Sequence, residues 1–250
     1  MAEHRFQTPQ PVELEVSIPA GNIEVTTIDS EESLIVVDGS EKLVEQTTVE
    51  QRGNRLVVQF RGTRPFGITI EIGGFTIGSE KLRVRAQIPQ ASAAKLTTAS
   101  ADMLVDGTLR ELETKSASGD LYVRGSIEGD ATIKTVSGDA HLDRIAGDLS
   151  ANAVSGDVRV DEVGGSVHTK TISGDVRIGA ARGREATLQS VSGDIELGVA
   201  AGTNLDVDAN SVSGDLASEI ELGTDVGPGS GPTLVVRGKT VSGDFRLVRA

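Results

Sequence analysis

Residues 155–194 read SGDVRVDEVGGSVHTKTISGDVRIGAARGREATLQSVSGD, and the tripeptide Ser-Gly-Asp occurs three times in this stretch. The whole chain of 250 residues contains seven copies, with their Asp residues at positions 120, 139, 157, 175, 194, 215 and 244. The steps between these positions are 19, 18, 18, 19, 21 and 29 residues. A period near 18 built from short β-branched runs predicts a parallel β-solenoid, in which each repeat forms one coil that stacks on the next.

Columns of similar residues follow each turn when the repeats are aligned on the tripeptide. The first and third residues after the Asp are mostly apolar: Leu121 and Val123, Ala140 and Leu142, Val158 and Val160, Val176 and Ile178, Ile195 and Leu197, Leu216 and Ser218, and Phe245 and Leu247. The residue between them is mostly polar, as at His141, Arg159 and Arg177. This period of two predicts a half-buried strand, with the apolar columns inside the solenoid and the polar column outside.

Two more columns precede each turn. Directly before the Ser, from the second copy on, the residue is apolar: Val136, Val154, Ile172, Val191, Val212 and Val241. One position earlier it is small, which suits a tight corner: Ser116, Thr135, Ala153, Thr171, Ser190, Ser211 and Thr240. A second Gly-Asp divides some coils, at Gly129-Asp130 and Gly147-Asp148. A coil of about 18 residues fits two strands or three, and the columns do not decide between these.

Composition limits the functions that the chain can have. The formal charge is −13, and no cluster of Lys and Arg is visible, so neither nucleic acid nor an anionic membrane is the expected partner. The absence of Cys excludes disulfides and thiolate metal sites. No apolar stretch has the length of a signal peptide core or a membrane span, so the sequence predicts a cytoplasmic protein without direct membrane insertion.

Residues 12–99 show β patterns without the 18-residue period. The expected strands are Val12–Ile18, Asn22–Ile28, Leu34–Val37, Leu43–Val49, Arg55–Phe60, Ile68–Ile72 and Lys81–Ile88, with a hairpin at Arg52-Gly53-Asn54. We interpret this region as irregular first coils or a cap of the solenoid, because terminal repeats must protect an open sheet edge. A separate β-sandwich is the alternative. Residues 1–11 form an N-terminal tail and residues 100–250 the regular solenoid in this interpretation.

From about Val12 to its end, the chain resembles the bacterial "putative adhesin" β-strand-repeat family, a domain of unknown function with repeated Ser-Gly-Asp turns. Besides the seven tripeptides, the resemblance rests on Ile18-Pro19-Ala20-Gly21-Asn22-Ile23-Glu24-Val25, which is similar to the element that precedes the repeats in that family. The resemblance implies a right-handed parallel β-helix and a non-enzymatic role. Some relatives are linked to envelope stress or to surface attachment, and the family has no catalytic residues to carry over.

The Asp column is the most regular chemical feature of the repeats. Adjacent carboxylates at the ~4.8 Å spacing of paired strands repel each other, so either backbone N–H groups or a row of Ca²⁺ ions must compensate. We favour the backbone, because Ser-Gly-Asp lacks the second Gly and the spacing of the GGxGxD-type repeats in calcium-binding β-rolls. The three histidines, His4, His141 and His168, show no metal or triad spacing. The sequence therefore indicates no catalytic, cofactor-binding or metal-binding residue, and no cofactor.

Three segments depart from the repeat. About ten residues are inserted at Leu222–Thr233, where GTDVGPGSGP reads as a loop that leaves the coil. The segment Pro65–Ile77 holds two of the six aromatic residues, and it is expected to be a cap strand or a partner-binding edge. The chain ends soon after Ser242-Gly243-Asp244, so we expect the last strand to be an open edge that Arg246, Arg249 and the inserted loop protect.

The sequence thus predicts an all-β, right-handed parallel β-helix with about 18 residues per coil and irregular N-terminal capping strands. Its expected role is a non-catalytic scaffold or binding module, linked to cell-envelope stress by the family resemblance. A surface adhesin-like module and a carbohydrate-active β-helix enzyme are the alternatives. The expected partner is a protein or an envelope component, and the oligomeric state stays open.

Overall fold

A computed structural model describes residues 1–61, 81–220 and 232–250, and these residues form a β-solenoid. The N-terminal part contains β1 (Ala2–Gln7), β2 (Glu13–Ile28), β3 (Glu32–Asp38), α1 (Glu41–Glu45), β4 (Thr47–Arg52), β5 (Arg55–Phe60) and β6 (Leu82–Pro89). β7 (Ser92–Ser118) leads into the repeats. Among the described residues, no helix has the length and hydrophobicity needed to span a membrane.

Each coil of the repeat region contains two strands. The strand that follows each Ser-Gly-Asp turn belongs to stack A, which contains β8 (Leu121–Ile127), β10 (Ala140–Ile145), β12 (Val158–Val163), β14 (Val176–Ala181), β16 (Ile195–Val199), β18 (Leu216–Ser218) and β20 (Phe245–Arg249). Stack B contains the strands that precede the turns: β9 (Ala131–Ser137), β11 (Leu149–Ser155), β13 (Val167–Lys170), β15 (Glu185–Gln189), β17 (Asn204–Ser213) and β19 (Thr233–Ser242). Two strands per coil resolves the choice that the columns left open.

The register between coils follows the sequence repeat. In stack A, Val158 lies beside Ala140 on one side and Val176 on the other, and both pairings are parallel steps of 18 residues. Alternate residues point inward in both stacks, and the inward side chains form one hydrophobic core. The two apolar columns are buried in every coil except the one that ends at β18. The predicted period of 18 and the predicted inner columns are therefore confirmed for these coils.

The N-terminal region continues the same sheet. β2 pairs in parallel with β6 on one side and with β7 on the other, and β7 crosses the boundary predicted at residues 99 and 100. Beyond β6 the pairing becomes antiparallel, through β3 to β1, so residues 2–7 of the expected tail form an edge strand. The β4–β5 hairpin is present, with Gly53 at a φ of +65°. The strand expected at Leu43–Val49 is wrong, because α1 occupies its first half.

The last two coils stack in an order that differs from their order in the chain. β19 pairs with β15 on one side and with β17 on the other. Likewise, β20 pairs with β16 and with β18. The coil of residues 233–249 therefore lies between the coil of residues 185–199 and that of residues 204–218. The expectation of an open edge at the C-terminal strand is wrong, since that strand has a partner on both sides.

Hydrophobicity explains this inverted order. Residues 233–249 supply Leu234, Val236, Phe245 and Leu247 to the interior, and each of these is at most 2% exposed. Burying such side chains stabilises the fold by about 1.5–3 kcal/mol each. Residues 204–218 match the first two of these positions with the same residue types, but they offer only Leu216 and Ser218 opposite Phe245 and Leu247. The coil with the smaller and more polar pair forms the open end. Leu216 and Ser218, which the columns placed inside, are consequently exposed.

Two of the segments that departed from the repeat fall largely outside the described residues. The segment Pro65–Ile77, with its expected strand Ile68–Ile72, lies wholly outside them. Of the inserted loop Leu222–Thr233, only Pro232 and Thr233 are described, and β19 begins at Thr233. The inverted order of the last two coils explains the 29-residue interval between Asp215 and Asp244. The chain must return from the open end to a position between residues 185–199 and residues 204–218.

Each turn Gly lies directly against the backbone of the neighbouring turn. Gly174 has a φ of +147°, a conformation that residues with a Cβ rarely adopt. A Cβ built on Gly174 would also collide with the carbonyl oxygen of Gly156. The same collision with a neighbouring turn would arise at Gly138, Gly156, Gly193 and Gly243. The coils can therefore approach at strand spacing only because this position has no side chain.

We expect Gly174→Ala to lower the free energy of unfolding by about 2 kcal/mol or more, since it adds backbone strain and a collision between coils. Gly53→Ala is the matched control, because Gly53 also has a positive φ but no atom lies within 4 Å of the place that its Cβ would occupy. That control should lose about 1 kcal/mol. Urea unfolding of both variants measures the difference. Equal losses would show that close stacking of the turns contributes nothing.

Candidate functional site

The most distinctive surface feature is a row of exposed aliphatic side chains beside the turns. This aliphatic stripe contains, in spatial order, Val136, Val154, Ile172, Val191, Val241 and Val212. Each side chain is between 42 and 82% exposed. Six coils at ~4.8 Å spacing make the stripe about 24 Å long. Isolated exposed apolar residues are ordinary, but a continuous row indicates an interaction surface.

The backbone alternation fixes the outward direction of the stripe. In β11, Leu149, Ala151 and Ala153 point inward, so the next residue, Val154, points outward. The sequence identified this apolar column without assigning it a side of the sheet. The small residue directly before each stripe residue points inward, so the alternation of a strand places the stripe residue outside. This alternation is the sequence signal that could have predicted the exposed stripe.

A groove of about 480 Å³ lies along the stripe near the C-terminal coils. Its lining includes Val191 and Val241 of the stripe together with Lys170 and Lys239. Some cations of the solenoid pair with acidic groups of neighbouring strands, as Arg237 does with Glu185 at 2.7 Å. Within the described part of the chain, neither lysine forms such an ion pair. The groove therefore combines apolar walls with two cations in a protein of net charge −13.

The Asp column forms a ladder of hydrogen bonds between coils. The backbone N–H of Asp157 donates to the carboxylate of Asp139 at 2.9 Å, and that of Asp175 donates to Asp157 at 2.8 Å. The same bond links every neighbouring pair from Asp102 through Asp120, Asp139, Asp157, Asp175, Asp194 and Asp244 to Asp215. The N–H of Asp215, with Arg246 beside it, holds the pKa of Asp244 below its usual value. These donors supply the compensation that adjacent carboxylates need.

One group of potential metal ligands lies on the outer face of stack A. Nitrogen or oxygen atoms of His141, Asp143 and Asp161 lie within 4.8 Å of one another, and this is the one such group in the described ranges. The carboxylate of Asp143 accepts the backbone N–H of Gly125 at 2.9 Å. Asp161 lies 3.7 Å from the guanidinium of Arg159. Both carboxylates therefore have protein partners.

A second group of carboxylates lies in a groove of about 190 Å³ where β2 meets β7. Glu113 contacts Lys115 at 2.7 Å and Lys95 at 2.9 Å, and hydrogen bonds from these two lysines hold its pKa below the usual value. Glu13 likewise pairs with Arg55 at 3.0 Å. The general acid of a carbohydrate-cleaving enzyme needs a raised pKa, whereas the pKa of Glu113 is lowered. Glu113 and Glu13 therefore belong to a network of surface ion pairs.

The chain is a β-solenoid with a continuous row of exposed aliphatic side chains along one face. The chain belongs to the Toastrack DUF4097 family, whose sequence profile matches residues 13–247. No curated protein is significantly similar to it.

Two solved structures are similar to this chain over almost its whole length. A "putative lipid binding protein" from Parabacteroides distasonis has a TM-score of 0.53 and 17% identity, over 99% of this chain and 96% of that chain. A "putative adhesin" from Bacteroides fragilis has a TM-score of 0.49 and 13% identity, over 99% and 96%. At 17% identity, the likeness to the Parabacteroides distasonis protein shows the fold alone.

We expect millimolar Ca²⁺ to leave the melting temperature where a chelator leaves it, because backbone N–H groups already compensate the Asp ladder. Mass action makes the measurement sensitive. A site with a dissociation constant of about 10 μM would raise the free energy of unfolding by about 2.7 kcal/mol when the Ca²⁺ concentration is about one hundred times that constant. Thermal unfolding in Ca²⁺ and in chelator is the comparison to make, and a rise of many degrees in Ca²⁺ would assign cations to the ladder.

Proposed function

We propose that the protein is a non-catalytic binding module that holds an apolar segment of a protein partner along the aliphatic stripe. The stripe is the observation that carries the proposal. Its β-branched side chains have few rotamers and stand on a stacked sheet, so little conformational entropy is lost when a partner binds. The interaction energy would come from removing these side chains from water.

The surroundings of the stripe define the partner further. Lys170 and Lys239 line its groove, and no described acidic group neutralises them. A partner that carries acidic groups beside its apolar residues would complement this surface. Its attraction to the two lysines would also offset the general repulsion expected from a chain with a net charge of −13.

We further propose that the partner is a component of the cell-envelope stress response, which the family resemblance supports, and that the protein acts in the cytoplasm. An adhesin-like module would use the same surface on a partner outside the cell. Cell fractionation separates the two, because recovery of the native protein with the outer surface would favour the adhesin-like role.

The test is the triple variant Val154→Thr, Ile172→Thr and Val191→Thr. Thr is β-branched and keeps the strand propensity of Val and Ile, so the fold should be retained while the stripe becomes polar. In a quantitative pull-down from native lysate, we expect recovery of the specific partner to fall about tenfold or more, since each change removes at least one buried methyl contact.

Arg159→Ala, on the outer face of stack A in the same coils, is the matched control and should retain the partner. Melting temperatures of all variants establish that each is folded. If the triple variant is folded and recovers the same proteins as the parent at the same yield, the stripe is not the binding surface.

A further inference from the structure

The inverted order of the last coils creates a slot within the solenoid. One wall is the coil of residues 185–199 and the other is the coil of residues 204–218. The segment 233–249 fills the slot and forms parallel ladders with both walls. Residues on both walls precede the segment in the chain, so the segment must enter a gap between two coils that are already linked to each other.

The segment makes the general turn contact of the solenoid with both walls of the slot, together with one ion pair. The N–H of Asp244 donates to the carboxylate of Asp194 at 2.9 Å, and the N–H of Asp215 donates to that of Asp244 at 3.0 Å. Arg237 pairs with Glu185 of the first wall at 2.7 Å. The slot therefore selects a strand, a Ser-Gly-Asp turn and a second strand, with a cation at a defined position.

The segment also has an apolar contact between its own two strands. Phe245 is 2% exposed, and its ring covers Gly238 so closely that a Cβ on Gly238 would collide with the ring. The aromatic side chain and the glycine that makes room for it both belong to the inserted segment. The segment therefore carries this packing contact with it, whichever copy of the chain supplies the slot.

We propose that the slot is an acceptor site for a strand–turn–strand segment, and that a second copy of this chain fills it with its own residues 233–249. Every contact described above lies within the segment or between it and the walls, and none involves the connection to the rest of the chain. The 14 connecting residues 219–232 could span up to about 46 Å when extended. Exchange of the segment between two copies therefore preserves the whole interface, as in domain swapping.

The alternative stacking explains why the slot exists at all. If residues 204–218 stacked directly on residues 185–199, the segment 233–249 would form the open end, with Phe245 and Leu247 at the edge. The observed order buries these side chains. In this order the coil of residues 204–218 must stay one coil spacing away from residues 185–199, so that the segment fits between them. A slot that stays open until the last residues arrive is accessible to the segment of another copy during folding.

The test uses full-length chains, which have no native Cys. Ser192 and Ser242 are both exposed and are neighbours in parallel pairing. Ser192→Cys and Ser242→Cys in one chain should form an internal disulfide, because paired strands bring Cα atoms within the range that a disulfide spans. Ser192→Cys with Ser213→Cys should not, since the segment separates them. If the first pair forms no internal disulfide, or if the second pair forms one, the segment does not lie between the two walls.

Exchange is then measured between two chains of different tag length. One carries only Ser192→Cys and the other only Ser242→Cys, and they are unfolded, mixed, refolded and oxidised. The matched control replaces the first chain by one with Ser155→Cys, an exposed turn Ser that lies several coils from the slot.

We expect the mixed-length disulfide product of the Ser192→Cys pair to exceed that of the control about tenfold or more. Its ratio to uncrosslinked chain should rise about tenfold for each roughly tenfold increase in free chain concentration, as mass action requires for two copies. A yield equal to that of the control at every concentration would show that the slot accepts only the segment of its own chain.

Discussion

The contact of one turn backbone with the next is the constraint on which this solenoid depends. Gly174 and its equivalents place a Cα where any side chain would strike the carbonyl of the coil before it, and the N–H of the Asp that follows binds that coil's carboxylate. Steric exclusion and a hydrogen bond thus act at the same point. Together they fix the distance and the register of two coils, and the ladders of both stacks follow from that register.

Because every turn makes the same contact, the turns do not determine which coil is the neighbour of which. That choice depends on the inward side chains, whose burial differs from coil to coil. Phe245 and Leu247 gain more from an internal position than the matching Leu216 and Ser218 of the 204–218 coil do. Spacing and order are therefore controlled by separate features of the sequence, and a repeat protein can change one without changing the other.

The period of 18, the inward columns and the turn Gly could be predicted, because each is a local requirement repeated in every coil. The outward position of Val154 is a consequence of the same alternation, although the sequence analysis left the side of its column open. The inverted order could not be predicted from spacing, since the Ser-Gly-Asp at residues 242–244 matches the turns of residues 192–194 and 213–215 equally well.

The strand prediction at Leu43–Val49 was wrong for a different reason. An amphipathic run of seven residues is too short to distinguish one helical turn from a strand.

The position of the C-terminal strand has a mechanical consequence. In a solenoid stacked in chain order, tension on the last residue peels one row of backbone hydrogen bonds from the end. Here β20 has a row on each side, to β16 and to β18, and the N–H of Ala250 still binds Val199. A load applied at the C-terminus first breaks the bonds of residues 248–250 to one neighbour, and it must then break two rows together at residues 245–247. The strand therefore resists peeling at the point where it enters the stack.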